Sequence, residues 1–368
     1  MHAATNVTRA GHAIHANGEP FAEGPVFASV FRAAGDPATS PFVYGRYHNP
    51  TWSNWEAALE ELEGGPAVAF SSGMAAVTAV LATVLAPGDT VVMPSDGYYA
   101  ARRLAAGWFA ERGIRVRTAP TSGGAQAGQL EGAKLLWIES PTNPGLDVCD
   151  IRALAAQAHA RSVLVAVDNT TPTMLGQSPL ALGADYSLAS DTKSLTGHSD
   201  IVLGHVATRD PVLAEAIRAW RSQTGAIPGP MEVWLAHRSL ATLEMRLVRS
   251  CGNALAIARF LSGRDDVRGV RYPGLPSDPA HAIAAAQMRF FGPIVSFELR
   301  DGRTADRFLD ACRIVLPATS FGGIHTTAER RARWAGDAIP EGFVRMSAGC
   351  EHDADLIDDL TQALDAAS

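Results

Sequence analysis

Between residues 67 and 190, short unbroken apolar runs alternate with longer stretches of helical period. The runs are AVAF (67–70), TVVMP (90–94), KLLWIES (134–140), VLVAVDN (163–169) and DYSLAS (185–190), separated by Ala/Leu-rich segments such as 73–85 and 151–161. A strand with one wet face alternates apolar and polar residues, whereas a strand that is apolar throughout must be covered on both faces. Such strands, joined by helices, predict a mostly parallel sheet with helices on both sides, an α/β fold for residues 46–232. The stretch 231–261 then keeps helical spacing well beyond the length of an average helix, as a helix joining two domains does. Strands near 267–272, 294–299 and 343–347 and helices near 303–312 and 353–366 follow, so residues 233–368 are expected to form the linking helix and a smaller α+β domain. Residues 1–45 are rich in Gly, Pro and His without a sustained period, and read as an arm that must lie on another surface to be ordered.

Composition narrows the function. A chain of 368 residues that is 47% hydrophobic can bury one large core and a smaller second one, because single cores stop growing at about 250–300 residues. A net charge of -7 without a Lys/Arg run gives no footprint for nucleic acid or an anionic membrane, so the expected partners are small molecules and copies of the chain itself. The opening MHAATNVTRAGHAIHANGEP lacks the basic and apolar regions of a signal peptide, and no apolar run approaches the roughly 20 residues of a membrane span; a cytoplasmic protein is expected. Cys149, Cys251, Cys312 and Cys350 form no C-x-x-C pair, which predicts reduced thiols rather than a zinc site or disulfides. His198 with His205, or His12 with His15, lack an acidic or Cys partner at ligand spacing and are expected to be isolated surface residues, so no metal is expected. No G-x-G-x-x-G follows a strand, and neither lysine follows a glycine, which removes dinucleotide and P-loop readings.

Ligands in open α/β sheets sit beyond the carboxyl ends of the strands, and four of the expected ends are polar: SSGM after 67–70, ESPTNP after 134–138, DNT after 163–167 and SDTK after 185–189. Ser72, Gly73 and Met74 open a helix whose N–H groups and dipole favour a phosphate, and Ser190 and Thr192 add hydroxyls. Asp168 closes an apolar strand, where a carboxylate is costly unless it meets a cation. Lys134 and Lys193 are the two lysines among 31 Lys and Arg. Lys134 opens a strand and reads as a surface residue, whereas Lys193 stands within SDTKSLTGHSD. Pyridoxal phosphate (PLP) uses all of these groups: a lysine to carry it as a Schiff base, an anion cradle, and a carboxylate that keeps its ring nitrogen protonated.

These stretches, together with YGRYHNPT (44–51), DGYYAARRL (96–104), VWLAHRSLATL (233–243), YPGLPSDPAH (272–281), SFGGIH (320–325) and VRMSAGCE (344–351), resemble in order the PLP enzymes of Cys and Met metabolism, the transsulfuration group of cystathionine γ-lyase, cystathionine β-lyase, cystathionine γ-synthase and methionine γ-lyase. The resemblance runs from about residue 20 to the end. It implies a fold-type I architecture, an active-site-sharing dimer to whose interface the 1–45 arm contributes, and a homotetramer of two such dimers. It implies that Lys193 bonds the cofactor and then moves protons, that Asp168 pairs with the ring nitrogen, and that the Gly73 and Met74 amides with Ser190 and Thr192 hold the phosphate. Tyr44 and Arg46 would reach the neighbouring subunit's phosphate. Tyr98 would stack on the ring and help protonate the leaving thiolate. Arg345, with Asn143 and Ser320, would clamp the substrate carboxylate, a bidentate task that suits Arg better than Lys.

The same resemblance frames the reaction. A γ-elimination expels a thiol from Cγ and releases 2-oxobutyrate and ammonia; a β-elimination expels it from Cβ and gives pyruvate. Cystathionine γ-lyases commonly carry an acidic residue before the interface tyrosine and another before the S-x-G-G serine, suiting cystathionine's far ammonium. Here these positions are Val43 and Thr319. A buried ammonium without a partner costs several kcal/mol, so the expected substrate has an uncharged thioether tail, and methionine γ-lyase-like activity is favoured. Ala100 stands where methionine γ-lyases usually carry Cys, which keeps cystathionine γ-lyase, γ-synthase and β-lyase open. No role is assigned to His325, which replaces a family Glu. A PLP-binding regulatory protein without turnover would be marked by loss of Lys193, Tyr98 or Arg345, and all three remain; an aminotransferase would need a second keto acid.

Overall fold

The computed structural model describes residues 2–11, 17–18, 23–334, 336 and 339–367; His12 and His15 lie outside the described residues. Each of the five apolar runs forms a strand: β1 (Ala67–Phe70), β2 (Thr90–Pro94), β4 (Leu135–Glu139), β5 (Leu164–Asp168) and β6 (Tyr186–Ala189). Two further strands complete the sheet, β3 (Arg115–Ala119) and β7 (Gly204–Ala207), in the order β1-β7-β6-β5-β4-β2-β3. β2 to β6 pair in parallel with their neighbours among one another and with β3, while β7 runs antiparallel to both β1 and β6. β3 escapes the apolar pattern because it is an edge strand with half-exposed arginines. β7, GHVA, escapes it because it is short and buries a histidine.

The uninterrupted helix expected over 231–261 is two helices, Pro230–Leu240 and Leu243–Ser262. Apolar spacing continues through both pieces, which hides the break. The Thr242 hydroxyl donates to the Ser239 carbonyl at 3.1 Å and Arg246 Nη2 donates to the same oxygen at 3.0 Å, so a carbonyl at the break is satisfied by side chains. Arg246 also donates to the carbonyls of Ser194 and Leu195, fastening the second helix to the loop that follows Lys193.

Beyond it a second sheet runs in the order β10-β11-β12-β9-β8, built from β8 (Arg268–Arg271), β9 (Ile294–Glu298), β10 (Leu316–Pro317), β11 (Thr327–Arg330) and β12 (Phe343–Ser347). Its core joins Ile257 and Leu261 of the Leu243–Ser262 helix to Phe297, Phe308, Val344 and Leu360. In the arm, Val7 and Ala10 pack with Trp55, Ala58 and Ala236, whereas Phe27, Val30 and Tyr44 are exposed. No helix among the described residues is long and apolar enough to cross a membrane, and no group of His, Cys, Asp and Glu there could hold a metal.

His205 is not the surface residue the sequence led us to expect. It is fully buried in β7, with Nδ1 2.6 Å from Asp191 Oδ1 and Nε2 3.0 Å from Glu63 Oε1. Asp191 lies 14 positions before His205 and Glu63 142 before it, so ligand spacing could not reveal the cluster. Burial drives an imidazole's pKa down, but the Asp191 and Glu63 carboxylates more than offset it and raise His205 to about 10; burial raises Asp191 as well. The folded chain therefore holds protons that the unfolded chain, with His near 6.5, has released. This stabilisation is full below pH 6.5 and is lost as pH rises through about 10. Over that window D191N/H205Q is expected to lose the corresponding slope of unfolding free energy, about 1.4 kcal/mol per pH unit for one proton. Denaturant titrations of both proteins at stepped pH check this, and equal slopes would contradict it.

Candidate active site

The carboxyl edge of the large sheet, the loop 190–197 and the first strands of the small sheet enclose a cavity of about 340 Å³. Gly73, Met74, Tyr98, Asn143, Asp168, Ser190 and Lys193 line it from the large-sheet side, and Thr319, Ser320 and Arg345 from the other. Residues expected from separate motifs, up to 272 positions apart, thus meet in one space.

Lys193 follows a tight turn in which its N–H donates to the Ser190 carbonyl at 3.2 Å. Its Nζ donates to Ser320 Oγ at 2.7 Å. Burial, then the Arg345 charge, lowers its pKa to about 8 against the opposing pull of Asp168 and Glu329. The amine can therefore both hold and release a proton near neutrality. Ser320 has φ +76°, a left-handed conformation that costs a non-glycine residue about 1–2 kcal/mol. That conformation presents Oγ to Lys193 and the carbonyl oxygen to Arg345 Nη2, 2.8 Å away.

Arg345 sits in β12 opposite Glu329 of β11 and forms an ion pair with it. Its Nη1 donates to Asn143 Oδ1 at 2.8 Å. Asp168, at the end of β5, accepts from Thr170 N and Oγ1 through Oδ1 alone, at 3.1 and 2.6 Å. Burial raises its pKa, with Thr170 and Lys193 pulling the other way. A carboxylate placed there gains from any cation entering the cavity.

The helix Gly73–Val84 begins at the cavity. Ser72 caps it by accepting from Ala75 N at 3.1 Å, which leaves the first N–H groups for a ligand. A Cβ on Gly73 would lie 2.6 Å from Ser190 Cβ and 2.9 Å from its Oγ, so only glycine leaves room between helix start and turn.

Four expected residues do not line this cavity. Thr192 spends its hydroxyl on Leu203, donating to the carbonyl at 3.1 Å and accepting from the N–H at 3.0 Å. Val43, Tyr44 and Arg46 lie elsewhere: the Val43 carbonyl accepts from Phe31 N, and Arg46 donates to Ser222 O and stacks 4.6 Å from the Tyr47 ring. The structure also adds residues the sequence did not single out. Glu139 lines the base, and Tyr99, Phe321, Arg331 and Trp334 line the far wall. Glu139 lay in plain view in IESPTNP, whereas TAERRARW carries neither a strand nor a helix period.

Comparison with known proteins decides the family. The profile of Cys/Met metabolism PLP-dependent enzymes matches residues 26–365. The chain belongs to this family. A putative cystathionine γ-lyase of Streptomyces coelicolor is 55% identical over 98% of this chain and 93% of its own length. A cystathionine γ-synthase of Mycobacterium tuberculosis is 43% identical over 88% of this chain and 86% of its own. The crystal structure of an apo methionine γ-lyase from Micromonospora echinospora superposes with a TM-score of 0.93 at 37% identity, covering 99% of each chain. The protein is therefore a PLP-dependent enzyme of the γ-lyase/synthase group, with the α/β architecture of its structural neighbours.

The residues present fit the cofactor. The gap at Gly73 is a cradle that a Cβ would fill, Asp168 is a buried carboxylate facing the cavity, and Lys193 brings an amine of lowered pKa to the same space. Gly73→Ala is expected to weaken PLP binding at least tenfold, measured by titrating the apoprotein; affinity equal to the parent protein's would contradict the cradle.

Proposed function

We propose that this enzyme catalyses γ-elimination from a sulfur amino acid with an uncharged side chain, with methionine as the reference substrate, releasing 2-oxobutyrate, ammonia and a thiol. The observation that carries this reading is the far wall. Thr319, Tyr99, Phe321, Arg331 and Trp334 line it, and Glu329, two positions before Arg331, is engaged by Arg345, Arg331, Arg333 and the Trp334 indole. Glu139 and Asp168 lie at the opposite, strand-end side. Among the described residues an ammonium-ended tail would meet Arg331 rather than a carboxylate at this wall, at a cost of several kcal/mol.

When bound, PLP supplies a protonated ring that accepts the electron pair left at Cα. Asp168 would hold that ring nitrogen protonated, and the Gly73 and Met74 amides with the Ser190 hydroxyl would hold the phosphate. Thr192 contributes by pinning the turn to Leu203. Arg345 and Asn143 receive the substrate carboxylate, with Ser320 fixing both Arg345 and the Lys193 amine. Lys193 Nζ takes and returns protons, aided by its lowered pKa. Tyr98 covers the ring and is the donor toward the departing thiolate.

Tyr44 and Arg46 serve the neighbouring subunit's phosphate, with Val43 in that subunit's far wall. The exposed apolar side chains of the arm, Phe27 at 69% and Val30 at 72%, support packing of this part of the arm against a second copy, and two such dimers make the tetramer.

A second reading, cleavage of cystathionine by γ-lyase chemistry or its formation by γ-synthase chemistry, is favoured by the names of the 55% and 43% identical relatives. Incubation of PLP-loaded protein with methionine, cystathionine, homocysteine or cysteine separates them by mass spectrometry. Methanethiol and 2-oxobutyrate from methionine, with little product from cystathionine, are expected. Preferential release of cysteine and 2-oxobutyrate from cystathionine would establish the second reading, and pyruvate from cystathionine would make the enzyme a β-lyase.

A further inference from the structure

β4 reads LLWIE, four apolar residues followed by a carboxyl group that is 5% exposed. Glu139 stands in register with Asp168 on the neighbouring parallel strand, so two acids share one edge and one face of the sheet. Burial first, then the Asp168 charge, pushes the Glu139 pKa well up. Nothing proposed for catalysis uses this costly group.

Its contacts explain it. Glu139 Oε2 accepts from the backbone N–H of Tyr98 at 2.6 Å, and Oε1 accepts from the backbone N–H of Asn143 at 2.8 Å. The two donors come from different loops, one after β2 and one after β4. Asn143 then passes the connection to Arg345 through its Oδ1. The Tyr98 side is possible only because residue 97 is glycine: a Cβ there would lie 2.9 Å from Glu139 Oε2 and 2.7 Å from Pro94 Cγ. A glutamine would offer one acceptor and turn an NH2 against the second N–H, whereas a carboxyl group presents two oxygens.

We infer that Glu139 is a positioning residue that fastens both working walls of the cavity, the Tyr98 wall and the Asn143–Arg345 wall, to a single side chain. The inference rests on the proposed roles of Tyr98 and Arg345, and its test does not depend on which substrate is turned over.

The test uses the PLP-loaded protein with two readouts. The visible circular dichroism of the bound cofactor reports the Tyr98 wall. Glycine, which has a carboxylate and no side chain, reports the Arg345 wall through its dissociation constant, followed by the change in the visible spectrum. E139A is expected to lose at least half of the dichroic amplitude and to weaken glycine binding about tenfold. E139Q is expected to keep one of the two properties and lose the other. G97A, whose Cβ would crowd the Glu139 Oε2 that holds Tyr98 and not the Oε1 that holds Asn143, is expected to alter the dichroism while glycine affinity stays within about twofold. E139Q retaining both properties, or G97A weakening glycine as much as E139A does, would overturn the inference; the latter would mean general loosening instead. If E139A does not fold, E139Q and G97A decide. R345Q is the control: unchanged glycine affinity in R345Q would show that the carboxylate clamp itself is misassigned, and the dichroism would still test Glu139 against Tyr98.

Discussion

A parallel sheet covered on both faces admits few polar side chains along its strands and most of them at the strand ends. β1, β2, β4 and β6 are buried along their whole length, so the chemistry-bearing residues of the large sheet gather at the carboxyl ends: Asp168, Glu139, Ser190 and, one turn later, Lys193. The constraint that makes the core also makes the site. It brings together groups whose charges would be unfavourable apart, since each buried carboxyl group here is balanced by a nearby cation or by donated N–H groups.

The second sheet supplies the other half of this balance. Arg345 reaches from β12 to Asn143 and Ser320 while paired with Glu329. Ser320 accepts a strained backbone and thereby serves Arg345 with its carbonyl and Lys193 with its hydroxyl. Beneath the lysine, Arg246 holds the carbonyls of 194 and 195, and Asp191 and Thr192 pin the turn to β7 through His205 and Leu203. Lys193 thus carries its amine, hydrogen-bonded to Ser320, on a loop held from both sides, as the proton transfer proposed for it requires.

The large sheet was legible because its strands are apolar runs and its helices keep their period. The residues set at strand ends were legible for the same reason, and ten of the fourteen candidate site residues line one cavity. What escaped did so where packing is not apolar. β3 is an edge strand with charged side chains, β7 buries a histidine between two acids, and Glu329, Arg331 and Trp334 sit in a stretch held by ion pairs rather than by a hydrophobic face. The break at Ala241–Thr242 leaves no mark in the periodicity because apolar spacing runs on through both helices, while the Ser239 carbonyl beside it is satisfied by Thr242 and Arg246. Thr192 carries the residue type of a phosphate ligand but spends its hydroxyl locally, a distinction that only coordinates reveal. Val43, Tyr44 and Arg46 lie outside the lining of this cavity, and the roles proposed for them need a second copy of the chain.

The account stands on Lys193 as the residue that carries the cofactor, and the chain offers a sharp comparison because Lys134 is its one other lysine. Borohydride reduction of the PLP-loaded protein, followed by proteolysis and peptide mass spectrometry, reads the attachment point directly. The account predicts a phosphopyridoxyl mass increment on the peptide containing Lys193 and none on that containing Lys134. Label on Lys134, or a yellow protein in which neither lysine is labelled, would contradict it.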